Sequence, residues 1–216
     1  MAYDLEEQEQ LATLKAWWAR WGNLITWAAI AVLAAYAGWN GWNYYQRTQA
    51  VQAAQLYHEL QRAQEAGDPE RVQRAAADMT ARYARTAYAP MAALAAAHSA
   101  YQNNDAAAAK NHLQWVIDNG AGEQHQALAR LRLAGLLLDE KAYDAALKVL
   151  DARMPEQFAG LVEDRRGDIL AAQNRTADAR AAYQAALDKT DASAPGRELI
   201  RLKLDAIGGP AEKAAA

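Results

Sequence analysis

The chain has 216 residues, of which 52% are hydrophobic, with 12 glycines, 5 prolines and no cysteine. The absence of cysteine excludes disulfides, Cys-ligated zinc and thiol catalysis. The net charge of −3 argues against nucleic acid as a partner, because that role needs a clustered basic surface. Alanine dominates while glycine and proline are scarce, so the composition predicts a helical protein.

The first predicted element is a long uncharged segment near the start of the chain. No charged residue lies between Arg20 and Arg47, and the stretch from Gly22 to Trp42 would be about 31 Å long as a helix, which matches the hydrocarbon core of a bilayer. Both ends carry aromatic residues of the kind that prefer the lipid headgroup level. These residues are Trp17, Trp18, Trp21, Trp39, Trp42, Tyr44 and Tyr45. We predict that residues 21–45 form a retained membrane span in contact with membrane lipid.

Two other kinds of segment could account for this apolar stretch. A cleaved export signal would explain the small-x-small pattern Ala35-Tyr36-Ala37. However, the preceding segment is long and acidic, and aromatic belts would serve no purpose in a removed peptide. A buried helix of a soluble domain would rarely contain so long an uncharged stretch. The retained span is therefore the favoured interpretation.

The charges on either side of the span predict its orientation. Lys15 and Arg20 closely precede it, whereas Arg47 alone closely follows it. Positive charges favour the cytoplasmic side of a membrane. Residues 1–20 are therefore predicted to form a cytoplasmic tail, and the chain after residue 46 is predicted to lie outside the cytoplasm.

Small residues recur along one side of the predicted span. They are Ala31, Ala34, Ala35, Gly38 and Gly41. Ala34 and Gly38 form a small-xxx-small pair, which would let another membrane helix approach closely. Because alanine is abundant throughout this chain, composition alone is an equally good explanation, and the sequence leaves both interpretations open.

After residue 46, short turn signals divide the chain into helix-length pieces, and a pattern repeats about every 34 residues. On every second piece an alanine is followed four residues later by a larger apolar side chain, and a small residue lies twelve positions before each such alanine. The pairs are Ala75/Met79, Ala109/Leu113, Ala146/Leu150 and Ala179/Tyr183, and the preceding small residues are Ala63, Ala97, Ala134 and Gly167. Antiparallel helices approach closely where small residues meet, so this pattern indicates tetratricopeptide (TPR) repeats.

These elements together predict an all-α fold. A transmembrane helix is followed by a TPR-like α-solenoid of about four helix pairs and a C-terminal capping helix. The TPR-like domain is predicted to cover residues 46–207, and residues 208–216 are predicted to be a disordered C-terminal tail.

The sequence contains no recognisable catalytic or metal-binding motif. It has no Gly-rich phosphate loop, Gly-x-Ser-x-Gly elbow or His-Glu-x-x-His motif. The histidines, which lack the spacing of metal ligands, are His58, His98, His112 and His125. The pairs Asp139/Glu140 and Asp164/Arg165 are interpreted as solvated helix ends. We therefore expect no enzyme activity, no metal and no cofactor.

The acidic tail with "EEQ", the segment "LKAWWARWGN", the single span, "GWNGWNYYQ" and the small TPR-like domain together resemble one bacterial family. This is the family of YfgM-type ancillary SecYEG translocon subunits. The resemblance implies an inner-membrane protein with a cytoplasmic N-terminus and a periplasmic TPR-like domain, which associates with the SecYEG translocon and with a periplasmic chaperone of the PpiD type. It carries over no catalytic residues. The alternative function is a structural TPR adaptor in another envelope complex, for cell-wall or outer-membrane assembly.

In TPR domains the first helix of each unit lines a concave face that binds partner polypeptides. On the register given above, the resemblance places ten side chains near this face. They are Tyr57, Leu60, Met91, Leu94, His98, Tyr101, Leu128, Leu131, Leu138 and Leu161. This lining is mostly apolar and would suit an amphipathic or unfolded apolar segment. The alternative is that several of these side chains pack inside the domain.

Overall fold

The structure is a computed structural model that describes residues 2–120 and 122–209, with side chains from residue 9 onward. It divides into two compact units, one ending at Gln49 and the other beginning at Ala50. The described residues form nine α-helices, a short 3-10 helix and no strand, which confirms the all-α prediction. The helices are α1 (Ala2–Glu65), α2 (Pro69–Arg82), α3 (Tyr88–Gln102), α4 (Ala106–Asn119), α5 (Glu123–Asp139), α6 (Tyr143–Leu150), α7 (Ala159–Ala172), α8 (Thr176–Asp188) and α9 (Arg197–Ala206), with the 3-10 helix at Glu156–Phe158.

The N-terminal unit consists of the part of α1 that ends at Gln49. Among the described residues, α1 is the one helix whose length and apolar composition are sufficient to cross a membrane. Its large apolar side chains are exposed, with Trp27 at 65%, Val32 at 68% and Trp39 at 68%. An apolar surface of this extent is unfavourable in water and favourable in lipid.

The second unit is built from four helix pairs and a cap. The end of α1 pairs with α2, and α3/α4, α5/α6 and α7/α8 follow, with each helix packed on the next one along the chain. The first helices also contact one another, α3 with α5 and α5 with α7, as stacked repeats require. The last helix, α9, packs on α8 and buries Ile200 and Leu204. Of the predicted tail, residues 210–216 lie outside the described residues.

Each helix pair turns through the same backbone motif. A residue with positive φ ends the turn in every pair, and these residues are Gly67, Asn104, Lys141 and Asn174, with φ from 59° to 65°. The next backbone N–H donates to a carbonyl five residues earlier, as in Asp68 to Ala63 and Asp105 to Ala100. This is the hydrogen bond that closes a helix C-terminus in a Schellman motif. These positive-φ residues are spaced 37, 37 and 33 residues apart along the chain, which is the length of one repeat.

These turns correct the predicted register of the first pair. The residue four positions after the helix N-cap is Ala109, Ala146 or Ala179 in the later pairs, whereas after Asp68 it is Val72. Ala75, the predicted equivalent, is only half-buried. In the same alignment, Leu60 occupies the position at which the first helices of the other pairs have a small residue, Ala97, Ala134 or Gly167. The prediction was wrong here because alanines are dense enough in α1 and α2 to match the pattern in more than one register.

Candidate binding groove

A cavity opens on the face formed by the first helices of the repeats. Its volume is about 370 Å³, and α3, α5 and α7 supply most of its walls. The lining residues are Ala97, His98, Tyr101, Leu113, Arg132, Gly135, Leu136, Asp139 and Arg165. Ala97, Leu113 and Leu136 are nearly inaccessible and belong to the core that α3, α4 and α5 share. The cavity therefore has an apolar floor and polar walls.

One face of α5 forms the central wall. Arg132, Gly135, Leu136 and Asp139 follow the spacing i, i+3, i+4, i+7, which places them on a single side of a helix. Gly135 has no side chain, so the middle of this face is recessed. A Cβ added to Gly135 would lie 3.7 Å from the Arg165 guanidinium. The wall thus presents a cation and an anion two turns apart, separated by a small and an apolar residue.

The two charged residues of the α5 face make hydrogen bonds with neutral groups. Arg132 Nη1 donates to the Leu94 carbonyl at 3.3 Å, and partial burial lowers the pKa of its guanidinium. The Tyr101 hydroxyl donates to Asp139 Oδ2 at 3.1 Å, and this hydrogen bond raises the pKa of Tyr101. Within the described residues, neither Arg132 nor Asp139 takes part in an ion pair.

The third charged lining residue, Arg165, belongs to a network that reaches the capping helix. Its Nη1 lies 3.5 Å from Asp168 Oδ2, and Lys203 Nζ of α9 lies 2.8 Å from Asp168 Oδ1. Lys203 also lies 2.8 Å from Asp164, whose pKa is raised because burial outweighs the attraction of the ammonium group. Tyr183 donates to Asp168 at 2.9 Å, and burial raises the pKa of Tyr183. The interpretation of Asp164/Arg165 as a solvated helix end is wrong, since both lie in the middle of α7.

Three of the ten residues predicted near the concave face lie in the core. Leu60, Leu94 and Leu131 are 0%, 6% and 8% exposed. Each is on the side of its helix that packs against the second helix of a pair or a neighbouring repeat. None of the three lines the cavity, and their contact with a bound polypeptide stays a prediction.

The other seven predicted residues retain some accessible surface. Tyr57, Leu128 and Leu138 are half-buried, whereas Met91, His98, Tyr101 and Leu161 are exposed. His98 and Tyr101 line the cavity. In the N-terminal unit Ala31, Ala34, Ala35, Gly38 and Gly41 are exposed, and their role as a helix-packing face stays a prediction.

Sequence reasoning missed the charged part of the lining. Arg132 and Asp139 lie in the leucine-rich helix α5, where leucines alone were predicted to line the groove. Arg165 was interpreted as part of a solvated helix end. The i, i+3, i+4, i+7 spacing on α5 was a signal that could have identified the face.

Four stacked helix pairs with a groove on their first helices, preceded by a helix able to cross a membrane, define a membrane-associated TPR-like protein. The chain belongs to the family described as "Tetratricopeptide repeat-like domain", whose sequence profile matches residues 15–209. It is also similar to two curated relatives named "Ancillary SecYEG translocon subunit", which confirms the resemblance to the YfgM-type family.

The relative from Neisseria gonorrhoeae is 38% identical over 125 residues, 58% of this chain and 60% of the relative. The relative from Escherichia coli is 30% identical over 139 residues, 64% of this chain and 66% of the relative. The matched part of the chain thus spans less than two thirds of the length of either relative. No solved structure matches the chain.

Proposed function

We propose that this protein is a membrane-anchored interaction module that associates with the SecYEG translocon. The observation that carries the proposal is the combination of a lipid-compatible helix and a TPR-like domain in a chain whose curated relatives are ancillary translocon subunits. A TPR-like solenoid offers an extended groove rather than a reaction centre. Its task here is to hold other polypeptides near the membrane, and we assign it no catalytic role.

The proposed topology places residues 1–20 in the cytoplasm, residues 21–45 in the inner membrane and residues 46–207 in the periplasm, followed by a tail at 208–216. The support is the charge asymmetry of Lys15 and Arg20 against Arg47, together with the aromatic side chains near both ends of the apolar stretch. A reporter enzyme that is active only in the periplasm, fused after Ala216, is expected to be active in this topology. A mature chain that begins near Gly38 would instead indicate a cleaved signal and would contradict the anchor.

We further propose that the TPR-like domain links translocating polypeptides to a periplasmic chaperone of the PpiD type. The supporting feature is the groove between α3, α5 and α7, which combines an apolar floor with exposed polar walls. Such a surface suits a polypeptide segment better than a folded globular face, because it is narrow and concave.

Affinity purification of the full chain from gently solubilised membranes tests this function. Recovery of SecY together with a periplasmic chaperone is the expected result. A matched control is the same membrane preparation with residues 50–216 deleted, which retains the span and is expected to lose the chaperone. Recovery of only cell-wall or outer-membrane assembly factors would contradict the proposal and favour the adaptor function.

A further inference from the structure

The α5 face of the cavity carries two opposite charges that lack an ion-pair partner. Arg132 and Asp139 are seven residues apart on one helix, so they stand two turns, or about 10.5 Å, apart along its axis. Arg132 donates to a neutral carbonyl and Asp139 accepts from a neutral hydroxyl. In the part of the chain that the structure describes, no acid or base neutralises either one. The wall is therefore dipolar rather than uniformly charged.

The remaining charged lining residue does not change this balance. Arg165 faces Asp168, and Lys203 faces both Asp164 and Asp168, so two bases and two acids offset each other beside the cavity. What remains for a ligand is one cation at Arg132 and one anion at Asp139. Between them lie Gly135, which has no side chain, and Leu136, which belongs to the apolar floor of the cavity.

The distance between the two charges restricts the segment that can join them. An extended chain advances about 3.3 Å per residue and its side chains alternate between two faces, so residues four positions apart point to the same side about 13 Å from each other. The long, flexible side chain of Arg132 can cover the difference from the roughly 10.5 Å that separates it from Asp139 along the helix axis. A short extended stretch with three residues between its two charges therefore matches this wall.

We propose that this cavity binds an extended polypeptide segment that carries an acidic and a basic side chain separated by three small or apolar residues. The acidic side chain pairs with Arg132, and the basic one pairs with Asp139. The residues between them lie over Gly135 and Leu136. This inference rests on the proposed function of the domain as a polypeptide-binding module, and it specifies which segments that module selects.

Peptide binding to the full chain in detergent micelles tests the pairing. The probe is a fluorescently labelled, C-terminally amidated peptide with the core Gly-Glu-Ala-Leu-Ala-Lys-Gly, compared with versions in which Gln replaces either Glu or Lys. Wild-type protein is expected to bind the charged peptide about fivefold or more tightly than either neutralised version, and less tightly at high salt. Equal affinities for the three peptides would overturn the proposal without any protein variant.

Double-mutant cycles then assign each charge to its partner. Arg132→Gln is expected to weaken binding of the charged peptide about fivefold and to leave binding of the Glu-to-Gln peptide unchanged. Asp139→Asn is expected to weaken binding of the charged peptide about fivefold and to leave binding of the Lys-to-Gln peptide unchanged. Arg201→Gln and Asp205→Asn, a matched pair of exposed charges on α9, serve as controls that keep the wild-type preference.

The outcomes separate this inference from the proposed function. Circular dichroism of each variant confirms that the helices are intact before binding is compared. If Arg132→Gln still prefers the charged peptide over its Glu-to-Gln version, the pairing is wrong. Co-purification of SecY with wild-type protein is measured separately, so its success beside a failed peptide preference would overturn this inference alone.

Discussion

Gly167 of α7 lies directly beneath the aromatic ring of Tyr183 of α8. A Cβ built on Gly167 would lie 2.5 Å from both Cδ1 and Cε1 of that ring, which is closer than carbon atoms can approach. The ring is 3% exposed and its hydroxyl donates to Asp168, so it has little freedom to move aside. The Tyr183 ring therefore packs into the space that a side chain at position 167 would fill.

Substituting this glycine tests the packing. Gly167→Ala is expected to lower the free energy of unfolding by about 1–3 kcal/mol, because the added methyl group overpacks the crossing. The cost should be smaller in a Tyr183→Leu background, where the ring is absent. Thermal unfolding of the full chain in detergent measures both.

Gly135→Ala is the matched control for this substitution. It introduces the same methyl group into a helix, but the new Cβ would meet Arg165 at 3.7 Å, an ordinary contact distance. We expect it to stabilise the domain by about 0.5–1 kcal/mol, since alanine is the better helix former. The same sign for the two substitutions would contradict the assigned packing.

In each helix pair a small residue of one helix is buried with a larger residue of the other, and the order of the two explains which part of the repeat the sequence could predict. Tyr183 opposes Gly167, whereas the pairs Ala134/Leu150 and Ala97/Leu113 each lie within one core cluster. In the first pair the order is reversed, with Leu60 on the first helix and Ala76 on the second, both fully buried. A pattern that requires a small residue on the first helix therefore matches the last three pairs. In the first pair it assigns the wrong residues to the crossing.

Ala146 provides a second test of the crossings. It is fully buried and lies in the same core cluster as Ala134 and Leu150. Ala146→Leu is expected to destabilise the domain by about 1–3 kcal/mol, because the cluster has no room for three more carbons. Lys148→Ala, on the exposed side of the same helix, is expected to lie within about 0.5 kcal/mol of wild type. Equal melting temperatures for the two variants would refute the crossing.

Lys141 is the one non-Gly, non-Asn residue among the four positive-φ turn residues, with φ of 60°. A side chain with a Cβ is strained in this region, at a cost of about 1–2 kcal/mol. Lys141→Gly relieves the strain but makes the unfolded chain more flexible, so we expect a net gain of up to about 1 kcal/mol. Ala145→Gly, at an exposed position within α6, is the control and should cost about 1 kcal/mol. Destabilisation by Lys141→Gly would contradict the shared turn motif.

The binding groove was less predictable than the fold, for a physical reason. Helix stacking follows from residue size, which the sequence gives directly, whereas exposure depends on which side of each helix faces its neighbours. Leu94 and Leu131 satisfy the rule for a first-helix residue but point into the core. Arg132, one position after Leu131, points into the cavity instead. Adjacent residues of a helix are rotated by about 100°, so Leu131 packs in the core while Arg132 lines the groove.

The last prediction concerns His112, which joins the second helices of the first two pairs. Its Nε2 lies 2.5 Å from Gln73 Oε1, and Gln73 Nε2 in turn donates to the Ala96 carbonyl at 2.9 Å. Burial lowers the pKa of His112 from its ordinary value of 6.5, although the Asp105 carboxylate acts in the opposite direction. The native protein thus favours the neutral imidazole.

The sign of the pH dependence follows from proton binding. When the pH falls below about 6.5, the unfolded chain protonates His112 while the native state resists, so the unfolded state binds more protons and the stability declines. The decline from this residue ends once the pH is below its native pKa. Melting temperatures of wild type and His112→Gln, measured from about pH 8 to about pH 5, should therefore diverge below about pH 6.5, with the wild type losing stability relative to the variant. Parallel curves, or a relative gain for the wild type at low pH, would show that burial does not keep this imidazole neutral.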